Sequence, residues 1–173
     1  MNERSPVKGS VSSSATQAEA SAWGGFLYIY AVLTRRLDKE LREAHGLSFD
    51  SFEVLFLLAC APEQRMRLSD LAAAVLTNPT RISRLVDSLR GEGLVERERS
   101  TQDRREYYAV LTEAGLIQLR EAYETHLSGV REYFLSHFSD LELSAMAGFW
   151  ERLVPGASHR YDYTRNRTWW EEE

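Results

Sequence analysis

Between positions 80 and 88 the chain sets Thr80, Arg81, Ser83, Arg84, Asp87 and Ser88 among the apolar residues Ile82, Leu85 and Val86. A second group of cations follows at Arg97, Arg99, Arg104 and Arg105. An arginine guanidinium forks onto guanine or phosphate, and serine and threonine hydroxyls contact bases or phosphates. The chemistry on offer is hydrogen bonding and charge pairing with duplex DNA. The simpler reading of the first group is a solvated helix face, because a basic stripe alone is only a footprint. The elements that carry the two groups decide between these readings.

The stretch from 69 to 112 reads as two short helices followed by a two-stranded hairpin with a basic tip. Ser69 suits an N-cap, Asp70 suits the positive first turn, and Leu71, Ala72, Val75 and Leu76 give a small apolar face. Thr77-Asn78-Pro79 forms the turn, with Asn78 capping the next helix and Pro79 at its first position. Ile82, Leu85, Val86 and Leu89 follow at i, i+3, i+4, i+7 and make the buried side of that helix, which Gly93 ends. Residues 94–99 and 106–111 are strand-like, and Tyr107, Ala109 and Leu111 alternate inward. A helix-turn-helix with a wing is a device for presenting one helix to a major groove and one loop to the backbone or minor groove. The expected DNA contacts are Thr80, Arg81, Ser83, Arg84, Ser88, Arg99, Arg104 and Arg105. Residues 78–105 hold seven arginines against five acids, in a chain of net charge −5. The positive charge is local, which argues against indiscriminate coating of nucleic acid.

Competing chemistry is sparse. The chain has one cysteine, Cys60, which excludes an intrachain disulfide and points to a reducing compartment. Cys60 closes an apolar helix (Phe49, Phe52, Leu55, Phe56, Ala59), so a buried, inert thiol is expected. The histidines at 45, 126, 137 and 159 form no close metal-binding pair, and His126 is expected to hydrogen-bond between helices. No phosphate loop, dinucleotide fingerprint or nucleophile elbow is present, and no acidic pair is marked out for proton transfer. An enzyme, a cofactor and a metal site are therefore not expected.

At 173 residues the chain has the length of one domain, and its hydrophobic content of 43% is that of an ordinary soluble globule. The Ser-rich residues 1–18 read as a disordered tail without the apolar core of a signal peptide. No apolar run is long enough to span a membrane. Residues 19–47 carry a helical stripe (Trp23, Leu27, Tyr30, Leu37, Leu41), with Leu33 and Thr34 beside it. In 113–154, Leu116, Leu119, Tyr123, Leu127, Val130, Phe134 and Phe138 are spaced by threes and fours. Ser139 to Glu142 then forms a capping box before Leu141, Ala145, Phe149 and Leu153. These stripes exceed what a winged-helix lobe at 48–112 can cover, so they are expected to pack on one another and on a second copy. Gly129, inside the long helix, would be explained by a close helix crossing. The segment 155–173 is either a disordered tail or an arm docking through Tyr161, Tyr163, Trp169 and Trp170.

Leu71-Ala72, TRISRLVDSL at 80–89, GLVER at 93–97, DRR at 103–105 and LTEAG at 111–115 resemble the multiple-antibiotic-resistance regulator (MarR) family over roughly residues 22–154. The resemblance implies a mainly α (α+β) fold, a winged helix-turn-helix domain with flanking long helices forming a helical dimerisation lobe. It implies an obligate homodimer on a pseudopalindromic operator, a recognition helix at 79–92, and a wing arginine, Arg105, braced by Asp103. It also implies a cytoplasmic regulator, nucleoid-associated when bound to DNA. Leu76 and Thr77 depart from the pattern, standing where the turn often has glycine and an apolar residue. Members of the family bind small, often aromatic or phenolic anions between the dimer helices and the winged-helix lobe, and this weakens DNA binding. Trp23, Phe26, Tyr30 and Phe52, with Arg35 or Arg36, are the expected counterparts here. The expected function is a sequence-specific transcriptional regulator, a repressor released by such a ligand. The alternatives are a protein-interaction winged helix without DNA binding, and a thiol-based redox sensor through Cys60.

Overall fold

A computed structural model describes residues 14–100 and 106–157. A capping box opens the first helix: Thr16 Oγ1 accepts the Glu19 N–H, and the Glu19 carboxylate accepts the Thr16 N–H at 2.7 Å. Helix α1 therefore runs from Gln17 to His45, and the segment expected to be a tail to residue 18 is helical at 17 and 18. Ser48 caps α2 (Phe49–Cys60) through the Ser51 N–H at 3.0 Å. A single 3-10 turn at 62–64 leads into β1 (Arg65–Arg67), and α3 (Leu68–Ala74) follows directly. Next come α4 (Pro79–Gly91), β2 (Val95–Arg99), β3 (Tyr107–Leu111), α5 (Glu113–Tyr133) and α6 (Asp140–Leu153).

The sheet has three antiparallel strands in the order β1-β3-β2. The hairpin β2–β3 pairs Val95 with Leu111, Arg97 with Ala109 and Arg99 with Tyr107. Strand β1 was not expected, because Arg65-Met66-Arg67 is too short and too charged to show alternation. It corrects the start of α3 as well: pairing of 65–67 with β3 delivers the chain into the helix at Leu68, with Arg67 in the cap position. Ser69 is thus inside the helix and not its N-cap.

Leu41, Leu55, Leu58, Ile82, Leu89 and Leu119 are fully buried and mark a core shared by α1, α2, α4 and α5. Two glycines allow close approach. A Cβ on Gly129 would lie 2.7 Å from Leu37 Cδ2 and 2.7 Å from Glu40 Oε2, which is the helix crossing that its presence called for. A Cβ on Gly115 would lie 2.1 Å from the carbonyl oxygen of Leu94, so the glycine of LTEAG seats α5 on the base of the hairpin.

The helical stripes are only partly buried. In α1, Leu37 and Leu41 are buried, whereas Trp23 (64% exposed), Leu27 and Tyr30 face outward. In α5 the buried positions besides Gly115 and Gly129 are Leu119, Ala122, Tyr123 and His126, and the helix ends at Tyr133. Phe134, at φ −135° and ψ −67°, leaves the helical region, so Phe134 and Phe138 do not continue the stripe. The Ser139–Glu142 capping box forms as expected and opens α6, whose Leu141, Phe149 and Leu153 are exposed. No helix among the described residues is long and apolar enough to cross a membrane.

Candidate nucleic-acid interface

Helix α4 begins as its sequence dictates. Asn78 Oδ1 accepts the Arg81 N–H at 2.8 Å, Pro79 occupies the first turn, and Ile82, Val86 and Leu89 fix the buried side. The turn before it is costly. Leu76 sits at φ +52° and is 85% exposed, so it lies outside the apolar face expected for α3. A branched aliphatic residue in the left-handed region costs roughly 1–2 kcal/mol. Glycine would avoid that cost, which is the physical content of the departure at Leu76.

The outward face of α4 divides three ways. Ser83 and Asp87, one helical turn apart, face the hairpin: Arg97 Nη1 donates to Asp87 Oδ1 at 3.2 Å and to Ser83 Oγ at 3.4 Å. Arg81 faces α2 and forms an ion pair with Asp50. Thr80, Arg84 and Ser88, at i, i+4, i+8, make the exposed row. Ser88 Oγ donates to Glu92 at 3.2 Å, while the side chains of Thr80 and Arg84 make no hydrogen bond or ion pair among the described residues. Past α4, Gly93 at φ +77° reverses the chain into the hairpin.

In the hairpin Val95, Ala109 and Leu111 face the core, and Arg99 is exposed at the outer end of β2. The far face carries a network that the sequence did not announce. Arg65 lies 4.3 Å over the Tyr108 ring and 3.3 Å from Glu98, while Arg67 Nε donates to Tyr108 Oη at 2.9 Å and Nη1 pairs with Glu106 at 3.2 Å. These contacts hold β1, β2 and β3 to one another. Asp103, Arg104 and Arg105 lie outside the described residues.

Between α1, α2 and the α3–α4 turn lies a cleft of about 1000 Å³. Tyr30, Phe49, Phe52 and Phe56 supply aromatic walls, and Arg35, Arg42 and Arg81 supply cations. Asp38 is held below the ordinary carboxylate range by the Arg42 guanidinium at 2.7 Å and by the Phe49 N–H at 2.9 Å. His126 lines the same cleft, 4.5 Å from the Phe52 ring and 5.9 Å from the Phe49 ring, centroid to centroid. Burial pushes its pKa down to about 4, so the imidazole is neutral near neutral pH.

Residues 47–107 match the family model described as the MarR family. The chain also matches the crystal structure of AbsC, a MarR family transcriptional regulator from Streptomyces coelicolor. The identity is 33%, with 84% of this chain and 96% of AbsC covered at a TM-score of 0.75. The chain belongs to the MarR family. It is a winged helix-turn-helix transcriptional regulator. Sco3205, a MarR family regulator from the same organism solved in complex with DNA, is 26% identical, with 83% and 89% of the two chains covered and a TM-score of 0.77. The transcriptional repressor YetL of Bacillus subtilis is 30% identical over 111 residues, 62% of this chain and 66% of YetL.

For a MarR-family chain the sequence-derived sites fall unevenly. Tyr30 and Phe52 do line the cleft, and so does Arg35. Trp23 and Phe26 do not: Trp23 stacks on Phe26 at 6.0 Å, and Phe26 lies 5.7 Å from Trp150 of α6. Arg36 turns away, 5.2 Å over the Tyr133 ring. Arg42 and Asp50 were missed, because each belongs to the cleft only through the fold. Cys60 is half-buried, not fully enclosed, because it ends α2 where the chain leaves the core. Among the described residues no group of His, Cys, Asp and Glu could hold a metal ion.

Proposed function

We propose that the chain is a homodimeric, sequence-specific DNA-binding repressor that releases its operator when a small aromatic or phenolic anion enters the cleft. It acts in the cytoplasm, associated with the nucleoid when bound to DNA, and has no catalytic role. The observation that carries this reading is the exposed row Thr80, Arg84 and Ser88 on a capped helix, flanked by a hairpin with Arg99 at its outer end. Arg84 is the residue most suited to fork onto guanine, and Thr80 and Ser88 supply hydroxyls on either side of it. Arg81 and Ser83, turned to α2 and to the hairpin, contribute less to base reading than the sequence alone implies. Arg99, Arg104 and Arg105 serve phosphate or minor-groove contact, with Asp103 bracing the tip. The repressor YetL and the DNA-bound Sco3205 support the same reading.

Helices in 19–47 and 113–154 form the dimer lobe around the winged-helix lobe at 48–112. Their exposed Trp23, Leu27, Leu141, Phe149 and Leu153 are the surface that a second copy covers. A two-fold dimer sets two α4 helices about one turn of DNA apart, which requires a pseudopalindromic operator. The cleft supplies the control. Its walls include Arg81 and Ile82 of α4 as well as α1 and α2, so an occupant touches the recognition helix and the dimer lobe together. Such a ligand shifts the population only as far as it prefers the conformation that mismatches the operator.

The test is selection of DNA fragments by the purified protein, followed by titration of aromatic carboxylates and phenols into the selected complex. A pseudopalindromic site is expected, and Arg84→Ala should lose roughly 1–3 kcal/mol of discrimination at one base position. A protein that enriches no sequence would refute the reading in favour of a protein-binding winged helix. An operator complex indifferent to every acid tested, but dissociated by peroxide only when Cys60 is present, would favour the thiol sensor.

A further inference from the structure

Arg97 stands on β2 opposite Ala109 and faces α4 from the inner side of the hairpin. Its side chain is only 20% exposed. The guanidinium lies 4.3 Å over the Tyr107 ring, and Nη1 reaches Asp87 Oδ1 at 3.2 Å, Asp87 Oδ2 at 3.4 Å and Ser83 Oγ at 3.4 Å. Arg97 Nε is buried without a hydrogen-bond partner among the described residues. A buried guanidinium with an unused donor is expensive to keep. A hydrophobic residue at 97 would extend the core face that Val95 begins on the same side of the strand. The charge is therefore not explained by packing of the sheet.

We propose that Arg97 is the positioning residue that fixes the hairpin against the recognition helix, so that the two elements read one operator in a single geometry. The inference rests on the DNA-binding reading above. The link is angular as well as attractive. The flat guanidinium is clamped on one face by the Tyr107 ring, and its edge meets Ser83 and Asp87 on adjacent turns of α4. A shift of the hairpin along the helix axis would break the carboxylate contact or the ring contact. The pairing also accounts for Ser83 and Asp87, polar residues on the outward face that are turned away from the exposed row. Asp87 keeps a second cation, Arg90, at 3.6 Å, so loss of Arg97 does not leave that carboxylate without charge compensation. Lysine cannot replace the arrangement, since an ammonium does not stack flat on the Tyr107 ring while its nitrogen reaches Asp87 and Ser83.

The test is a double-mutant cycle on the selected operator, with Arg99→Ala as the probe of the hairpin. In wild-type protein Arg99→Ala should weaken binding severalfold. In an Arg97→Met background the same change should cost almost nothing, because the hairpin is no longer held in place, so the coupling should equal the severalfold loss seen in wild type. Arg97→Lys should resemble Arg97→Met and not wild type. Asp87→Asn, at a half-exposed site, should give the same loss of coupling and keeps the test alive if Arg97→Met does not fold. Additive effects in folded variants would overturn the proposal. A salt slope reduced by about one phosphate in Arg97→Met, with the cost of Arg99→Ala unchanged, would also overturn it and make Arg97 a direct phosphate contact. If wild-type protein selects no DNA at all, it is the DNA-binding reading that fails, and the two failures are distinguishable.

Discussion

Gly115 and Gly129 both sit in α5, and both are replaced by alanine with an added methyl group, yet the structure assigns them different outcomes. At Gly115 the new Cβ would stand 2.1 Å from Leu94 O and 2.8 Å from Leu111 Cδ1. That carbonyl cannot move aside, since it accepts the Thr112 N–H at 3.1 Å, and Thr112 Oγ1 in turn donates to Gly93 O at 2.8 Å. Relief requires α5 to shift off the hairpin base, so the cost lies at or above the upper end of ordinary overpacking, about 3 kcal/mol. At Gly129 the obstacles at 2.7 Å are the ends of two side chains, Leu37 Cδ2 and Glu40 Oε2. They can rotate, and alanine returns about 1 kcal/mol of helix propensity. The net change there should stay within about 1 kcal/mol. For a chain of this size 1 kcal/mol moves Tm by about 2–4 °C, so Gly115→Ala should fall by about 6–12 °C and Gly129→Ala by no more than about 4 °C. The assay is thermal unfolding at one fixed protein concentration, because dimerisation makes Tm concentration-dependent. Gly115→Ala melting within about 2 °C of wild type would refute the reasoning, as would a larger loss at Gly129 than at Gly115.

His126 sets a pH dependence. Its pKa of about 4 lies below the ordinary 6.5, so the unfolded chain binds the proton first, and stability is complete above about pH 6.5 and falls as the pH drops towards 4. The whole loss is about 3 kcal/mol, and His126→Gln should flatten it in urea midpoints taken across that window; parallel profiles for both proteins would show that another group is responsible. Light scattering at micromolar concentration should give a mass near twice 19.9 kDa, and a stable soluble monomer would remove the two-half-site geometry.

The parts of this fold that were legible in the sequence are those set by local rules. Asn78-Pro79 and the Ser139–Glu142 box began their helices where capping chemistry put them. The i, i+3, i+4, i+7 spacing of α4 named its buried face, with Ile82, Val86 and Leu89 enclosed and Leu85 half-buried. The failures are tertiary. Strand β1 exists only because β3 offers a free edge to Arg65, Met66 and Arg67. Phe134 and Phe138 kept the helical spacing of α5, but the backbone leaves the helix at Phe134. Spacing reports which side chains would share a face if the helix continued, and carries no information about where it stops.

The recognition face shows the same limit in functional form. Six polar residues on one short helix look equivalent in sequence, and a helical wheel gives each an outward direction. What separates them is partners far away along the chain. Asp50 lies 31 residues before Arg81, and Arg97 lies 14 residues after Ser83 and 10 after Asp87. Those partners engage Arg81, still 64% exposed, with α2, and Ser83 and Asp87 with the hairpin, and leave Thr80, Arg84 and Ser88 as the exposed row facing neither. The engaged residues then do a different job from the exposed ones. Arg81 joins the helix to the wall of the cleft and to α2, and Ser83 and Asp87 join it to the hairpin. A helix held on both flanks cannot tilt without disturbing one of them. On the proposed reading, an occupant of the cleft would act on the direction of the whole exposed row, and control of binding would not require the ligand to touch Thr80, Arg84 or Ser88 at all.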